Sequence, residues 1–526
     1  MKLNKKYHSK FELISIAIFI CIFIWLLMSG IFRESAVYDE KLHLDAGHIF
    51  LTKHDFRAEP FNPPFAREII ALPSIFDLKT NNDPILFYPR LMTVIIATIF
   101  SLYFYWFSRK TFGRKSATFS LFLFIFEPEI LAHGHYATTD FLLAFLVFVS
   151  ISLYYLWHNS LNLKRISILS VTVGLALATK ISALPFLLFS YLIIFGIKKR
   201  IGLKDLIKLS YWMNKAKFIL IFCVLSGLVI WATYFFTLEP LLGYRFDPNR
   251  MLVKLNEKNS IVNFALNIPV PLGGYVSTIK QDILYNYAPY YIKTSFLNGQ
   301  ILQNGSPFFF PIAFLLKTPL PLIFLLILAL FTIVKSNKAN LFLLVTIISI
   351  FASSMVSTLN LGIRYILSVY PFIILLSAQV INLKFKYKKL LIGVLSVWYM
   401  LGVANVFPHY ISFFNELAGG PRNGYKYLVD SNYDWGQGLI DLKEYQDKYR
   451  INDLRLAYFG TVDPVKYGIK YKGINKENIT SLKPGKNYLI AISASCWYFC
   501  GYYKNPHLNK ENPYDIVGGS ILIFKK

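Results

Sequence analysis

Long apolar runs recur along most of this chain, and most are long enough to cross a lipid bilayer. A hydrocarbon core about 30 Å thick needs about 20 mostly apolar residues per helical crossing. Such runs fall near 11–32, 89–108, 116–133, 139–157, 166–179, 182–197, 217–237, 308–334, 341–358, 363–382 and 389–407, about eleven in all. The fifth and sixth are short and separated by Lys180, so they also fit one irregular hairpin. The first run is too long for a signal-peptide core and lacks an A-x-A cleavage site, and is read as a retained span. Of the 526 residues 55% are hydrophobic and only 16% charged, against about a quarter charged in soluble proteins. That composition excludes a disordered chain, and four cysteines do not make a disulfide scaffold. The net charge of +26 would suit a nucleic-acid binder only if the basic residues gathered on one soluble face.

They lie instead between the apolar runs. Lys2, Lys5, Lys6 and Lys10 precede the first run; Arg109, Lys110, Arg114 and Lys115 follow the second; Lys164 and Arg165 follow the fourth. Lys198, Lys199, Arg200, Lys204, Lys208, Lys215 and Lys217 fill the next such loop, then come Lys335 and Lys338, and finally Lys384, Lys386, Lys388 and Lys389. The alternate connections, 33–88, 238–307 and the tail from 408, are long and of mixed charge. Basic loops stay on the cytoplasmic side. The expectation is therefore a multi-pass protein of the cell membrane, a bacterial inner membrane given the richness in Lys, Asn, Ile and Phe, with a cytoplasmic N-terminus and an extracytoplasmic C-terminus. Residues 1–407 form the membrane domain, with outer loops 33–88 and 238–307. Residues 408–526 form a small outer α/β domain, with strands expected at Leu454–Phe459, Tyr488–Ser493 and Ser520–Phe524. Cys21 and Cys223 lie in spans as packing residues. Cys496 and Cys500 face the oxidising side, where four residues along one strand is too far to bridge without a turn. Asn478-Ile479-Thr480 matches a glycosylation sequon, a pattern common by chance.

Ionisable groups at the outer ends of the spans are the candidate chemistry. Asp39, His43 and Gly47 recur at i, i+4 and i+8, one face of a helix, with Glu40 beside it. A solvated loop is the alternative, but a carboxylate at the membrane boundary is suited to act as a general base. Asn62-Pro63-Pro64 announces a short interfacial helix capped by Asn62, with an apolar stripe at 65, 69, 72 and 76 and with Arg67 and Glu68 off it. His133, His135 and Asp140 lie in a turn between spans that holds no Lys or Arg. Two His residues two apart are weak evidence for a metal, and a structural role is commoner. Lys180, Lys317 and Arg364 stand near the outer ends of apolar runs, where a cation either snorkels or serves function. Three cations on the side of Asp39 suit a lipid phosphate.

Tyr38-Asp39-Glu40…His43…Gly47, Asn62-Pro63-Pro64, Ala132-His133-Gly134…Thr139-Asp140, Ala178-Thr179-Lys180, Lys317-Thr318-Pro319 and Gly362-Ile363-Arg364-Tyr365 follow in that order. The tail adds Phe414-Asn415-Glu416…Gly419-Gly420-Pro421 and Asp430-Ser431-Asn432…Asp434-Trp435-Gly436-Gln437. The set resembles the polyprenyl-phosphate-dependent glycosyltransferases related to protein O-mannosyltransferases and lipid A aminoarabinose transferases (glycosyltransferase family 39, GT-C fold). The resemblance implies a GT-C membrane protein that moves a sugar from a polyprenyl phosphate to an acceptor hydroxyl of lipid, glycan or protein, with inversion. Asp39 then supplies the catalytic carboxylate with Glu40 as its neighbour. Arg364, Lys317 and Lys180 take the donor phosphate, and His43, His133, Asp140 and Trp435 take sugar or acceptor. Asn62 stands where relatives also carry His, so no role of a His transfers to it. A divalent metal has plausible ligands in Asp39, Glu40 and nearby His, but a phosphate held by Arg and Lys does not require one, and none is assigned. A transporter or lipid flippase would show related halves and midplane charges. A non-catalytic assembly protein would tolerate replacement of Asp39.

Overall fold

The computed structural model describes residues 10–76, 86–158, 160, 162–199, 216–241, 266–287, 293–333, 338–474, 488–508 and 512–525. The sequon at 478–480 and the basic residues 2–6, 200–215 and 335 lie outside them. Apolar runs become helices because a helix satisfies its own backbone hydrogen bonds where no water can. In order these are α1 (Lys10–Arg33), α2 (Tyr38–Lys53), α3 (Phe65–Ala71), α4 (Phe87–Phe112), α5 (Arg114–Ile125), α6 (Pro128–His133), α7 (Thr139–Trp157), α8 (Leu163–Leu177) and α9 (Ala183–Lys199). They continue as α10 (Ala216–Thr233), α11 (Gly273–Tyr287), α12 (Phe309–Lys317), α13 (Leu320–Ile333), α14 (Lys338–Met355), α15 (Tyr370–Ser377) and α16 (Lys388–Ala404).

Among the described residues five stretches are long and apolar enough to span a bilayer: Glu12–Arg33, Phe87–Phe112, Thr139–Trp157, Ala216–Thr233 and Ile363–Asn382. The α12–α13 pair makes a sixth if counted as one, broken by a 112° bend. Thr318-Pro319 sits at that bend, where proline has no N–H to continue the helix. The expected eleven are therefore not all met by length. The remaining runs are helical but shorter, cut by Pro128 at the start of α6 and by the Lys180 turn between α8 and α9. Trp25, Leu220, Phe331, Leu390 and Leu401 are each more than half exposed, an apolar outer surface that water would not tolerate on this scale. Cys21 and Cys223 lie on this outward surface and are not core packing groups.

The tail contains α17 (Leu439–Lys448), α18 (Ala494–Phe499) and a five-stranded mixed sheet. Its strands are β5 (Leu454–Ala457), β6 (Lys472–Gly473), β7 (Leu489–Ser493), β8 (Asp515–Val517) and β9 (Ile521–Phe524), in the order β6-β5-β7-β9-β8. Strands β5 and β7 run parallel with Leu454 opposite Leu489, and β7 and β9 antiparallel with Ile490 opposite Phe524. Short hairpins precede it at β1–β2 (Glu239–Pro240 with Pro269–Val270) and β3–β4 (Thr294–Leu297 with Gln300–Gln303). One face of the sheet packs on α17 through Leu439, Leu442, Leu456 and Ile523. The other face, with Ile490, Ile492, Leu522 and Phe524, belongs to the same buried cluster as the membrane helices. Cys496 and Cys500 are disulfide-bonded. They lie around the turn of α18 rather than along a strand, which supplies the turn that spacing in a strand lacks.

His409 fastens the tail to the end of α1. Its ring bonds Glu34 at 3.1 Å and Asp441 of α17 at 2.8 Å. Burial opposes its charge, but the bonds to Asp441 and Glu34 win and raise it to about 9. A group raised on folding stabilises fully below its unfolded value of about 6.5 and loses that contribution as pH climbs through about 9. Thermal unfolding midpoints in detergent should therefore fall from pH 6.5 to about 9. The difference curve against His409→Gln isolates that contribution; parallel curves for the two proteins would refute it.

Candidate functional site

Asp39 stands in the first turn of α2, immediately after the chain leaves α1 and reverses. Glu40 makes that reversal. Its Oε1 accepts from Arg90 Nε and Ala137 N, and its Oε2 from Arg90 Nη2 and Val37 N, all at 2.8 Å. Arg90 also donates to the carbonyls of Glu34 and Ser35 at 2.7 and 2.8 Å. Both side chains are fully buried. Glu40 has no oxygen left to react, so the expected catalytic pairing with Asp39 is corrected: Glu40 positions the helix that carries Asp39.

Arg364 lies at the start of a 3₁₀ segment, Ile363–Val369, and points between two carboxylates. Its Nη1 donates to Asp39 Oδ2 at 2.6 Å and to Asp140 Oδ2 at 3.3 Å. Lys180 Nζ donates to Asp140 Oδ1 at 2.6 Å and sits 4.2 Å from the Tyr365 ring centre. Asp39, Asp140, Lys180 and Arg364 thus form one chain of alternating charge at a single end of the helices. Burial would raise the Asp39 carboxyl, but the Arg364 charge holds it below the usual carboxylate range. His43, one turn further along α2, accepts from Arg67 Nε on Nδ1 at 3.1 Å. Burial and the Arg67 charge lower it to about 3. It is a neutral orienting ring at pH 7, with its hydrogen on Nε2 because Nδ1 accepts, and not a proton donor to the leaving group.

Helix α3 begins at Phe65 after Pro64, not at a cap on Asn62. Its backbone carbonyl, not its side chain, accepts from Arg67 Nη1 at 3.1 Å. The apolar stripe turns outward, Phe76 being 70% exposed, while Arg67 and Glu68 are buried. A Cβ on Gly47 would meet the Arg67 carbonyl, so glycine lets α3 press against α2. Arg67 also pairs with Glu59.

The tail motifs brace this chain of charges. Arg364 stacks on Trp435, 4.3 Å from guanidinium carbon to ring centre, and donates to Ser431 Oγ at 3.1 Å. Asn432 Oδ1 accepts from Ile363 N at 2.8 Å. Tyr38 N donates to the Trp435 carbonyl and Ser35 Oγ to the Gly436 carbonyl, both at 2.8 Å. Trp435 is 1% exposed, so the expected sugar stacking is corrected: its face is taken by Arg364. Lys317 is likewise enclosed, donating to the Ile411 and Asn432 carbonyls at 2.6 Å and pairing with Glu129 at 2.8 Å. It holds the α12 bend and has no open face for a phosphate. His133 is fully buried, edge-on to Trp435 and 3.5 Å from Glu129. It backs the site without reaching the open space, against the expected sugar or acceptor contact. His135 bonds Glu34 at 2.7 Å. Among the described residues no group of three or more His, Cys, Asp or Glu side chains is placed to hold a metal ion.

A cavity of about 290 Å³ opens beside the charges, lined by Asn62, Lys180, Asp282, Asn286, Ser357 and Tyr365 among others. Asp282 of α11 is a residue the sequence reading missed; burial, opposed by Lys180, raises it to about 6. Arg90 and Arg67 are anchors the sequence reading missed, although Arg90, in the first turn of the apolar helix α4, carries the same signal as Arg364.

No family model and no curated relative matches the sequence. Among solved structures, the chain aligns over 97% of its length, and 97% of the other, with ArnT from Cupriavidus metallidurans bound to undecaprenyl phosphate, at 12% identity and TM-score 0.49. It aligns over 96% of its length, and 71% of the other, with the apo oligosaccharyltransferase of Archaeoglobus fulgidus, at 13% identity and TM-score 0.49. AglB from the same organism, in complex with an inhibitory peptide and a dolichol-phosphate, aligns over 95% and 71% at 14% identity and TM-score 0.45. No residue role is taken from these likenesses.

Removing one partner of a buried ion pair strands the other charge. Glu40→Ala should cost about 3–5 kcal/mol, read as a loss of the folded fraction on denaturant or thermal unfolding in detergent. A change below about 1 kcal/mol would mean that the pair does not hold the α1–α2 turn.

Proposed function

We propose that this chain is a membrane glycosyltransferase that moves a sugar from a polyprenyl-phosphate donor to an acceptor hydroxyl on the outer face. The observation that carries the reading is the gathering of Asp39, Asp140, Lys180 and Arg364, from four distant parts of the sequence, beside a cavity at one end of the helices. A carboxylate for a proton and two cations for a phosphate are what such a transfer needs.

In the proposed step Asp39 takes the hydroxyl proton as the acceptor oxygen bonds the anomeric carbon from the side opposite the phosphate. The carbon–oxygen bond to phosphate breaks, its electron pair leaves with the phosphate, and the sugar inverts. Arg364 and Lys180 stabilise that departing charge. The phosphate is already a good leaving group, so no general acid is needed, in keeping with a neutral His43. The side chains around the cavity, Asp282 and Asn286 included, face the sugar.

Both cations are bound to carboxylates. Donor phosphate therefore competes with Asp39 for Arg364, and winning that competition relieves Asp39 of the charge that suppresses its basicity. Donor binding prepares the base. Orientation follows the basic loops, which keep the N-terminus inside and the transfer site and tail outside.

Asp39→Asn should abolish transfer from polyprenyl-phosphate sugar in membranes, a loss of roughly 10²–10⁴-fold, with the protein inserted and stable. Full activity of that variant would overturn the assignment. Arg364→Lys keeps a charge but not the planar group whose Nη1 serves both carboxylates while Nε is held by Ser431, and donor binding should weaken at least tenfold. The charge exchange has its own signature. The acid limb of kcat, reporting the donor-bound enzyme, should lie at higher pH than that of kcat/KM, which reports Asp39 still held low by Arg364. Coincident limbs would exclude the exchange.

A further inference from the structure

The opposite end of the helices holds a charged groove that the proposed reaction does not use. It encloses about 540 Å³ between α1, α5 and α16. Phe19, Phe119 and Phe122 form its apolar wall, Ser396 closes one side, and Arg114 and Lys115 stand at its mouth. Arg114 is nearly half exposed. The acidic group in the groove, Glu12, is compensated within the protein: Arg109 Nε donates to it at 2.6 Å, Tyr105 at 2.5 Å, and Arg114 Nε lies 3.4 Å away. Arg109, Arg114 and Lys115 against one carboxylate leave the mouth positive by two charges. These residues belong to the basic connection 109–115, on the side of the membrane opposite Asp39.

An apolar wall running into a bilayer under a positive mouth matches the two halves of a phospholipid. Basic pockets between membrane helices on the cytoplasmic side hold anionic headgroups. We propose that this groove binds an anionic phospholipid of the cytoplasmic leaflet, its headgroup phosphate against Arg114 and Lys115 and its acyl chain along Phe19, Phe119 and Phe122. Charge selects the headgroup, because a zwitterionic lipid returns a positive group to an already positive mouth. The apolar wall alone would take either lipid. This binding is independent of the transfer chemistry at the other end and does not rest on that reading.

The test uses the full chain, purified and reconstituted with equal phosphatidylglycerol and phosphatidylcholine, then examined by native mass spectrometry. One phosphatidylglycerol should remain bound under activation that strips phosphatidylcholine. At about fivefold per basic side chain the preference should be roughly 25-fold, falling at high salt. Arg114→Gln with Lys115→Gln should reduce it to parity while leaving the Arg109–Glu12 clamp. Ser396→Phe, which fills the groove without changing charge, should remove the retained lipid, and it decides the matter if the double variant fails to fold. Equal retention of both lipids by the unaltered chain, or undiminished phosphatidylglycerol on the folded Ser396→Phe variant, would overturn the proposal.

Discussion

One guanidinium organises one end of this molecule. Arg364 reaches Asp39 on α2 and Asp140 at the head of α7, and Lys180 closes the series from the turn after α8. Carboxylates so near an apolar interior are costly unless paired, so the four groups hold one another in place. Their geometry is fixed from behind by the Trp435 ring and Ser431 on one side and by the Glu40–Arg90 pair on the other.

This arrangement gives the tail a mechanical role. Ser431 and Asn432 hold the 361–364 segment, the 435–436 backbone holds the 35–38 turn, and Asn415 donates to the Leu315 and Thr318 carbonyls at the α12 bend. Each polar motif of the tail meets a segment that carries or braces a charge of the site. The sheet beyond continues the same core into the membrane helices. The tail is a scaffold for the site, and the proposed reaction is accordingly assigned to groups on the helical part. In the proposed enzyme the resting pairs also keep idle charges satisfied, so that the donor's phosphate exchanges partners rather than entering an unbalanced pocket.

Much of this is legible in the sequence for a physical reason. Ionisable residues next to apolar runs are expensive, so Asp39, Asp140, Lys180 and Arg364 stand out, and the structure brings all four together. The strands at 454–457, 489–493 and 521–524 are likewise visible as β-branched and aliphatic runs bounded by polar turns. What sequence does not reveal is which charges are consumed internally. Lys317 and Lys180 look alike along the chain, yet one is sealed among two carbonyls and Glu129 while the other lines a cavity. Trp435 looks like a sugar platform until its face is seen to be covered. By helix length fewer spans than eleven are met, because Pro128, Pro319 and the Lys180 turn divide the apolar stretches into shorter helices.

The central claim is transfer of a sugar out of a polyprenyl-phosphate pool, and its most direct measurement is mass spectrometry of lipid-linked sugars and envelope glycans in cells lacking this chain. One acceptor should lose the mass of a single sugar while the corresponding polyprenyl-phosphate sugar accumulates, and both changes should reverse when the intact chain is restored. Unaltered acceptors together with an unaltered donor pool would contradict the account.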